Sequence, residues 1–182
     1  MKLYGNIDNR FDENKNFLNR EIRVGDDVTE YLWSDRHAYF VTKVVSQTNV
    51  FIHRYHVCAD HSKKGGMGHQ DWMYFKTANE MNRYLNGFFP DKPRPTDVPE
   101  PKDIELELRN GKWRVVERYD LARYHRAVEN APNPQLVRYS FDGRTLTDRQ
   151  FEKVLAGKEV KKYGEQINIS FGVRDYFLDW EF

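Results

Sequence analysis

Two runs of β-branched and aromatic residues, Ala38–Ser46 and Asn49–Cys58, follow one another with Gln47-Thr48-Asn49 at their junction. That spacing predicts an antiparallel hairpin and commits the middle of the chain to sheet. In the second run, strand alternation puts Phe51, His53, Tyr55 and Val57 on one face. Ile52, Arg54, His56 and Cys58 share the other, so His56 and Cys58 project together. With 12 Phe, 11 Tyr and 4 Trp, the core is expected to be aromatic and β-rich.

The flanking sequence extends this pattern. Val28–Trp33 alternates as a strand, and Trp72–Phe75 is a second short one. Thr77 and Glu80 form a capping box before Met81, Tyr84, Leu85 and Phe88 at helical spacing, with Gly87 as the stop. Ile104–Leu108 and Lys112–Tyr119 flank Asn110-Gly111, a strong hairpin signal. Asp120 caps a helix carrying Leu121, Tyr124 and Val128, which Asn130–Pro134 ends. Leu136–Phe141 reads as a strand closed by Asp142-Gly143. A second capping box, Thr147 with Gln150, starts a helix with Phe151, Val154 and Leu155. Ile167, Ile169 and Phe171 then alternate in a final strand. The expected fold is α+β and mainly antiparallel β, a curled sheet or small barrel with two or three short helices. Its expected divisions are a polar arm at 1–26, a β-rich half at 27–89, a connector at 90–101 and an α+β half at 102–182 packing back on the first. The connector holds five prolines in twelve residues and reads as extended.

Charge and composition narrow the function. Lys+Arg is 29 and Asp+Glu is 28, a net charge of +1. That balance argues against a strongly basic nucleic-acid binder and against an acidic nucleic-acid mimic. A single Cys excludes an internal disulfide and suits a reducing interior. The first residues lack an apolar leader, and no run of about 18 apolar residues is present. The expected location is cytoplasmic. Phosphate-loop, dinucleotide and HExxH motifs are missing. Glu105, Glu107 and Glu117 read as a solvent face.

The chemistry concentrates between His53 and His69, which hold four of the six histidines and the only cysteine. His56, Cys58, His61 and His69 are spaced H-x-C-x2-H-x7-H. Imidazole and thiolate are preferred zinc donors, and four of them close a structural site. His53, Asp60 and Asp71 are alternates for one position. The plainer reading is exposed strand histidines beside a small hydrophobic cysteine. Arg54, Lys63, Lys64 and Trp72 form a basic, aromatic surface suited to a partner. In Trp33–His37, an enzyme would use His37 as base and Asp35 as its orienter. The preferred reading there is a turn whose Arg36 pairs with a carboxylate elsewhere. Metal-dependent nuclease chemistry through His37, Asp35 or His61 is the alternative to a pure binding role.

Three segments carry a resemblance: YLWSDRHAYFVT from Tyr31, GGMGHQDW from Gly65, and NISFGVRDYFLDWEF from Asn168. Across residues 25–76 and the last 20, the chain resembles small β-rich accessory proteins encoded by phages and prophages of Gram-positive bacteria. The resemblance implies an accessory phage gene, a mostly β fold and no established enzyme activity. Some phage accessory proteins of this class resemble type II anti-CRISPR inhibitors, including a zinc-containing kind. On that resemblance His56, Cys58, His61 and His69 are the zinc positions. The partner would be a host protein, the RNA-guided nuclease of a type II CRISPR system. A virion or replication accessory role is the remaining alternative.

Overall fold

The structure is a computed structural model that describes residues 15–16, 18–32, 35–63, 71–92 and 100–176. The strands are β1 (Lys15–Asn16), β2 (Asp27–Tyr31), β3 (Arg36–Ser46), β4 (Asn49–Arg54), β5 (His56–Ala59), β6 (Trp72–Phe75), β7 (Ile104–Arg109), β8 (Lys112–Tyr119), β9 (Val160–Gln166) and β10 (Asn168–Phe171). The helices are α1 (Ala78–Asn86), α2 (Leu121–Asn130), α3 (Val137–Asp142) and α4 (Asp148–Leu155). Two compact units result, one running up to Arg114 and resuming at Gln166, the other spanning Val115–Glu165.

In the first unit the strands pair in the order β1-β10-β2-β3-β4-β7. All the registered pairs are antiparallel except β1 with β10, which is parallel. The α+β, mainly antiparallel class is as expected. Among the described residues the strand order has two ends, so the sheet is open and no barrel closes. β5 and β6 form a separate two-stranded sheet.

Register explains the core. Val28 lies opposite Tyr39 and Phe171, Val41 opposite Ile52, and Val50 opposite Leu106. Cross-strand partners share a face, so these residues form one apolar surface, and all are buried. The start of β2 is pinned by Asp26. Its carboxylate accepts from Arg20 Nη2 at 2.6 Å and from the Arg23 backbone N–H at 2.7 Å. Burial pushes the Asp26 carboxyl up, but the Arg20 hydrogen bond, the Arg23 amide and both positive charges outweigh it. The net pKa falls below the usual value of 3.8.

β8 follows β7 through Asn110-Gly111, with φ of 52° and 73°, the left-handed pair a tight hairpin turn requires. β8 pairs with β9. In the second unit Tyr119, Ala127, Phe141, Leu146, Val154 and Val160 form the core, with Tyr124 and Phe151 against it. Phe141 is 1% exposed and lies within 5.4–5.8 Å of the Tyr119, Tyr124 and Phe151 rings. Arg123 covers Tyr119, and Arg138 covers Phe151.

Both capping boxes form in full, and Asp120 caps α2 through the Arg123 N–H. Three local expectations change. Residues 137–142 are helical, not a strand: Asn133 caps a 3-10 turn with Pro134 in its first turn, and left-handed Gly143 ends α3. Turn residues such as Asn-Pro and Asp-Gly bracket a helix as readily as a strand. That helix brings the number to four among the described residues. β9 lacked a signal because most of it is exposed and therefore does not alternate. Glu105 is no solvent-face residue: it is 5% exposed and accepts from Asn49 Nδ2 at 2.9 Å. Of the arm at 1–26, the described β1 lies along β10; residues 1–14 and 17 fall outside the described set, as do 93–99 of the connector and 177–182 of the tail. Among the described residues no helix is long and apolar enough to cross a membrane.

Phe141→Ala should cost about 3–5 kcal/mol by emptying an aromatic core, read as a fall in the denaturant midpoint. Asp26→Asn should cost about 1–3 kcal/mol at neutral pH. A lowered carboxyl pKa stabilises the fold above the unfolded value and loses that effect as pH falls through the folded one. The difference between Asp26→Asn and the parent should therefore shrink in acid, below about pH 4, in melts taken across pH.

Candidate metal centre

The second β-rich run is not one strand. Tyr55 interrupts it between β4 and β5. Its N–H donates to the Ala38 carbonyl at 2.9 Å and its hydroxyl to Asp27 Oδ1 at 2.8 Å. The chain passes there from the large sheet to the small one. Side chains three apart would point oppositely on a continuous strand. Across this break His53 and His56 instead reach the same carboxylate.

That carboxylate is Glu100. Its Oε2 lies 2.6 Å from His56 Nε2 and 3.9 Å from His53 Nε2. Donors about 2.0–2.1 Å from a tetrahedral ion stand about 3.3 Å apart. The two distances bracket that spacing, and all three donor atoms lie within 4.8 Å of one another. The other Glu100 oxygen accepts the Ala78 N–H at 3.0 Å, in the first turn of α1. The His56 hydrogen bond, with the Ala78 amide behind it, holds the Glu100 carboxyl below the usual range. A ligand carboxylate needs that ionised state.

Asp103 stands behind His53. Its Oδ1 is 2.7 Å from His53 Nδ1, and its Oδ2 accepts from the Thr42 hydroxyl at 2.8 Å. A carboxylate at Nδ1 favours the tautomer with the proton there and leaves the Nε2 lone pair toward Glu100. Thr42 owes its place to a bulge, since Val41 opposes Ile52 while Lys43 opposes Phe51. The β4–β7 register sets Ile52 against Ile104. Continued by one residue, it sets His53 against Asp103; the break at Tyr55 then ends it, and His56 meets Glu100 from β5.

The expected zinc set is distributed differently. His56 belongs to the cluster, and His53, an alternate, joins it. Cys58 lies on β5 opposite Met73, and His61 packs edge-on against Phe89. Neither is part of the three-residue group. His69 lies outside the described residues, as does Lys64. Asp60 accepts from Ser62 and Tyr84, and Asp71 pairs with Lys63 at 3.0 Å. Trp72 meets the Tyr176 ring edge-on, 4.8 Å between centroids.

A second polar group sits on β2 and β3. Glu30 accepts the Tyr39 hydroxyl at 2.8 Å and lies 3.3 Å from His37 Nδ1. Burial pushes Glu30 up, and the His37 and Tyr39 hydrogen bonds bring it net below its usual value. Arg36 pairs with Asp175 at 2.5 Å, the distant carboxylate expected of that turn, and the described Asp35 offers its backbone carbonyl to Leu32.

Sequence reasoning missed Glu100, Asp103 and Thr42. Glu100 lies within the Pro-rich connector and Asp103 just past it, and only the pairing of β4 with β7 brings that segment to the histidines. No protein-family model, curated protein or solved structure matches this chain.

As assembled, three donors can hold a divalent ion and leave a coordination position open. Asp103→Asn should weaken zinc binding about 10- to 100-fold in calorimetric titration, the usual effect of losing a carboxylate behind a ligand histidine. His53→Ala should weaken it more, and Cys58→Ser should leave it within about twofold, below the roughly 1.4 kcal/mol that a tenfold change represents.

Proposed function

We propose that this protein is a metal-dependent binding protein. A divalent transition ion, zinc by its mixed imidazole and carboxylate donors, is held by His53, His56 and Glu100. It joins the β4–β5 corner to the start of β7 and the first turn of α1. The observation that carries this reading is the Asp103–His53 contact of 2.7 Å, with Thr42 behind it. The Asp103 carboxylate at Nδ1 leaves the His53 Nε2 lone pair toward Glu100, as a metal ligand requires.

The resemblance to phage accessory proteins over residues 25–76 and the last 20, and that of some such proteins to type II inhibitors, supports a host defence protein as partner, most concretely the RNA-guided nuclease of a type II CRISPR system. A net charge of +1 supports contact with a protein surface over imitation of nucleic acid. A held ion would keep the corner rigid before contact and lower the ordering cost of association. The open position favours a second reading, metal-dependent hydrolysis of a phosphodiester, in which the ion activates water.

Elemental analysis of the purified protein should give about one zinc per chain, as a single three-donor site requires. Zinc-loaded protein should retain the nuclease in a pull-down, and chelator-treated protein should retain less. Zinc without capture would reject the inhibitor reading; cleavage of RNA or DNA by the metal-loaded protein would move the assignment to hydrolysis.

A further inference from the structure

A cavity of about 250 Å³ opens beside the centre. Its walls include Arg54, Tyr55, His56, Met81, Pro101 and Tyr176. His56 is a donor of the proposed centre, and Pro101 directly follows another, Glu100. The cavity therefore borders the ion's position. No acidic side chain is among the described residues that line it, and its one formal charge is the Arg54 guanidinium. Arg54 acts on the Tyr176 hydroxyl by a hydrogen bond and on Glu30 through its charge. Tyr176 is fixed in turn against the Trp72 and His37 rings. The rest of the wall is aromatic or apolar: two tyrosine rings, a methionine, a proline.

We infer that this cavity binds a compact organic oxyanion, a carboxylate or phosphate monoester with an apolar body, whose charged end lies between Arg54 and the ion. The inference rests on the proposed metal reading and names the ligand class for that centre. Four features select it. The cation on the wall and the ion beside it both attract negative charge. Guanidinium geometry matches the paired oxygens of carboxylate and phosphate. The volume is below the roughly 300–1,000 Å³ of ordinary ligand clefts, so the ligand is small. The open coordination position accepts an oxygen in place of water.

Cobalt(II) in place of zinc tests this, because its visible bands respond to a change of ligand. Benzoate, phenyl phosphate and inorganic phosphate are titrated into the cobalt protein, with benzamide as the neutral control. Saturable band shifts with benzoate or phenyl phosphate and none with benzamide are the expected result, and the stronger of the two identifies the oxyanion. Arg54→Gln should weaken the response about tenfold or more, with cobalt affinity and melting temperature retained. Arg54→Lys should restore part of it. Met81→Glu, which brings negative charge onto the wall without touching a donor, should weaken it as well. Cobalt bands that form and ignore every oxyanion would overturn this inference and leave the metal reading standing. A response that Arg54→Gln and Met81→Glu both leave intact would place the anion elsewhere and overturn it too. Failure to form cobalt bands at all would remove the metal reading, and this inference with it.

Discussion

The arrangement of the candidate centre depends on one residue, Tyr55. Its backbone N–H is held by Ala38 of β3 and its hydroxyl by Asp27 of β2, so the chain turns out of the large sheet at a fixed point. Burial, with the hydrogen bond and charge of Asp27, pushes the Tyr55 hydroxyl up to about 12, which keeps it a donor at neutral pH. Phe40 and Tyr74 flank the ring, and Arg174 lies over it at 5.6 Å. A continuous strand would aim His53 and His56 at opposite faces. The pinned break lets both reach Glu100.

Glu100 and His56 are 44 residues apart, and closing so long a loop ordinarily costs several kcal/mol of chain entropy. Here the β4–β7 ladder already closes most of it, through pairs from Asn49–Glu107 to Ile52–Ile104. An ion at this site therefore adds little to the global constraint. Its effect is local: it ties the first turn of α1, through the Ala78–Glu100 hydrogen bond, to a corner of sheet. Rigidity at one surface, rather than overall stability, is what such a clamp supplies. A docking surface benefits from that, because less conformational freedom is lost on contact.

Local chemistry was legible in the sequence where a single turn or cap decides the outcome. Thr77 with Glu80, Thr147 with Gln150, Asp120 and Asn110-Gly111 each act as their residue types demand. Leu136–Phe141 was misread because a short apolar run between turn residues suits either period. β9 was invisible because an exposed edge strand need not alternate. At the candidate centre, two histidines of the run from His53 to His69 lie at one carboxylate. The rest of the set was hidden by distance along the chain. His53 and Asp103 become neighbours only through the β4–β7 register, which no spacing within either strand reveals. The bulge at Thr42 is likewise a property of the pairing, not of the β3 sequence alone.

The exposures of the donors indicate how the centre meets solvent. The two imidazoles are 13% and 10% exposed, and Glu100 is 45% exposed. An ion among them rests on a histidine floor with its carboxylate toward water. Asp103, at 43%, orients that floor from the side. A divalent ion there would be offset by Glu100 and by Asp103 behind His53, so the positive charge lining the cavity beside it would be the Arg54 guanidinium. The expected set of three imidazoles and one thiolate would have filled all four positions and closed the site. A three-donor set would instead leave a coordination position open beside Arg54, and those two features together carry the proposal that the neighbouring cavity takes an anion.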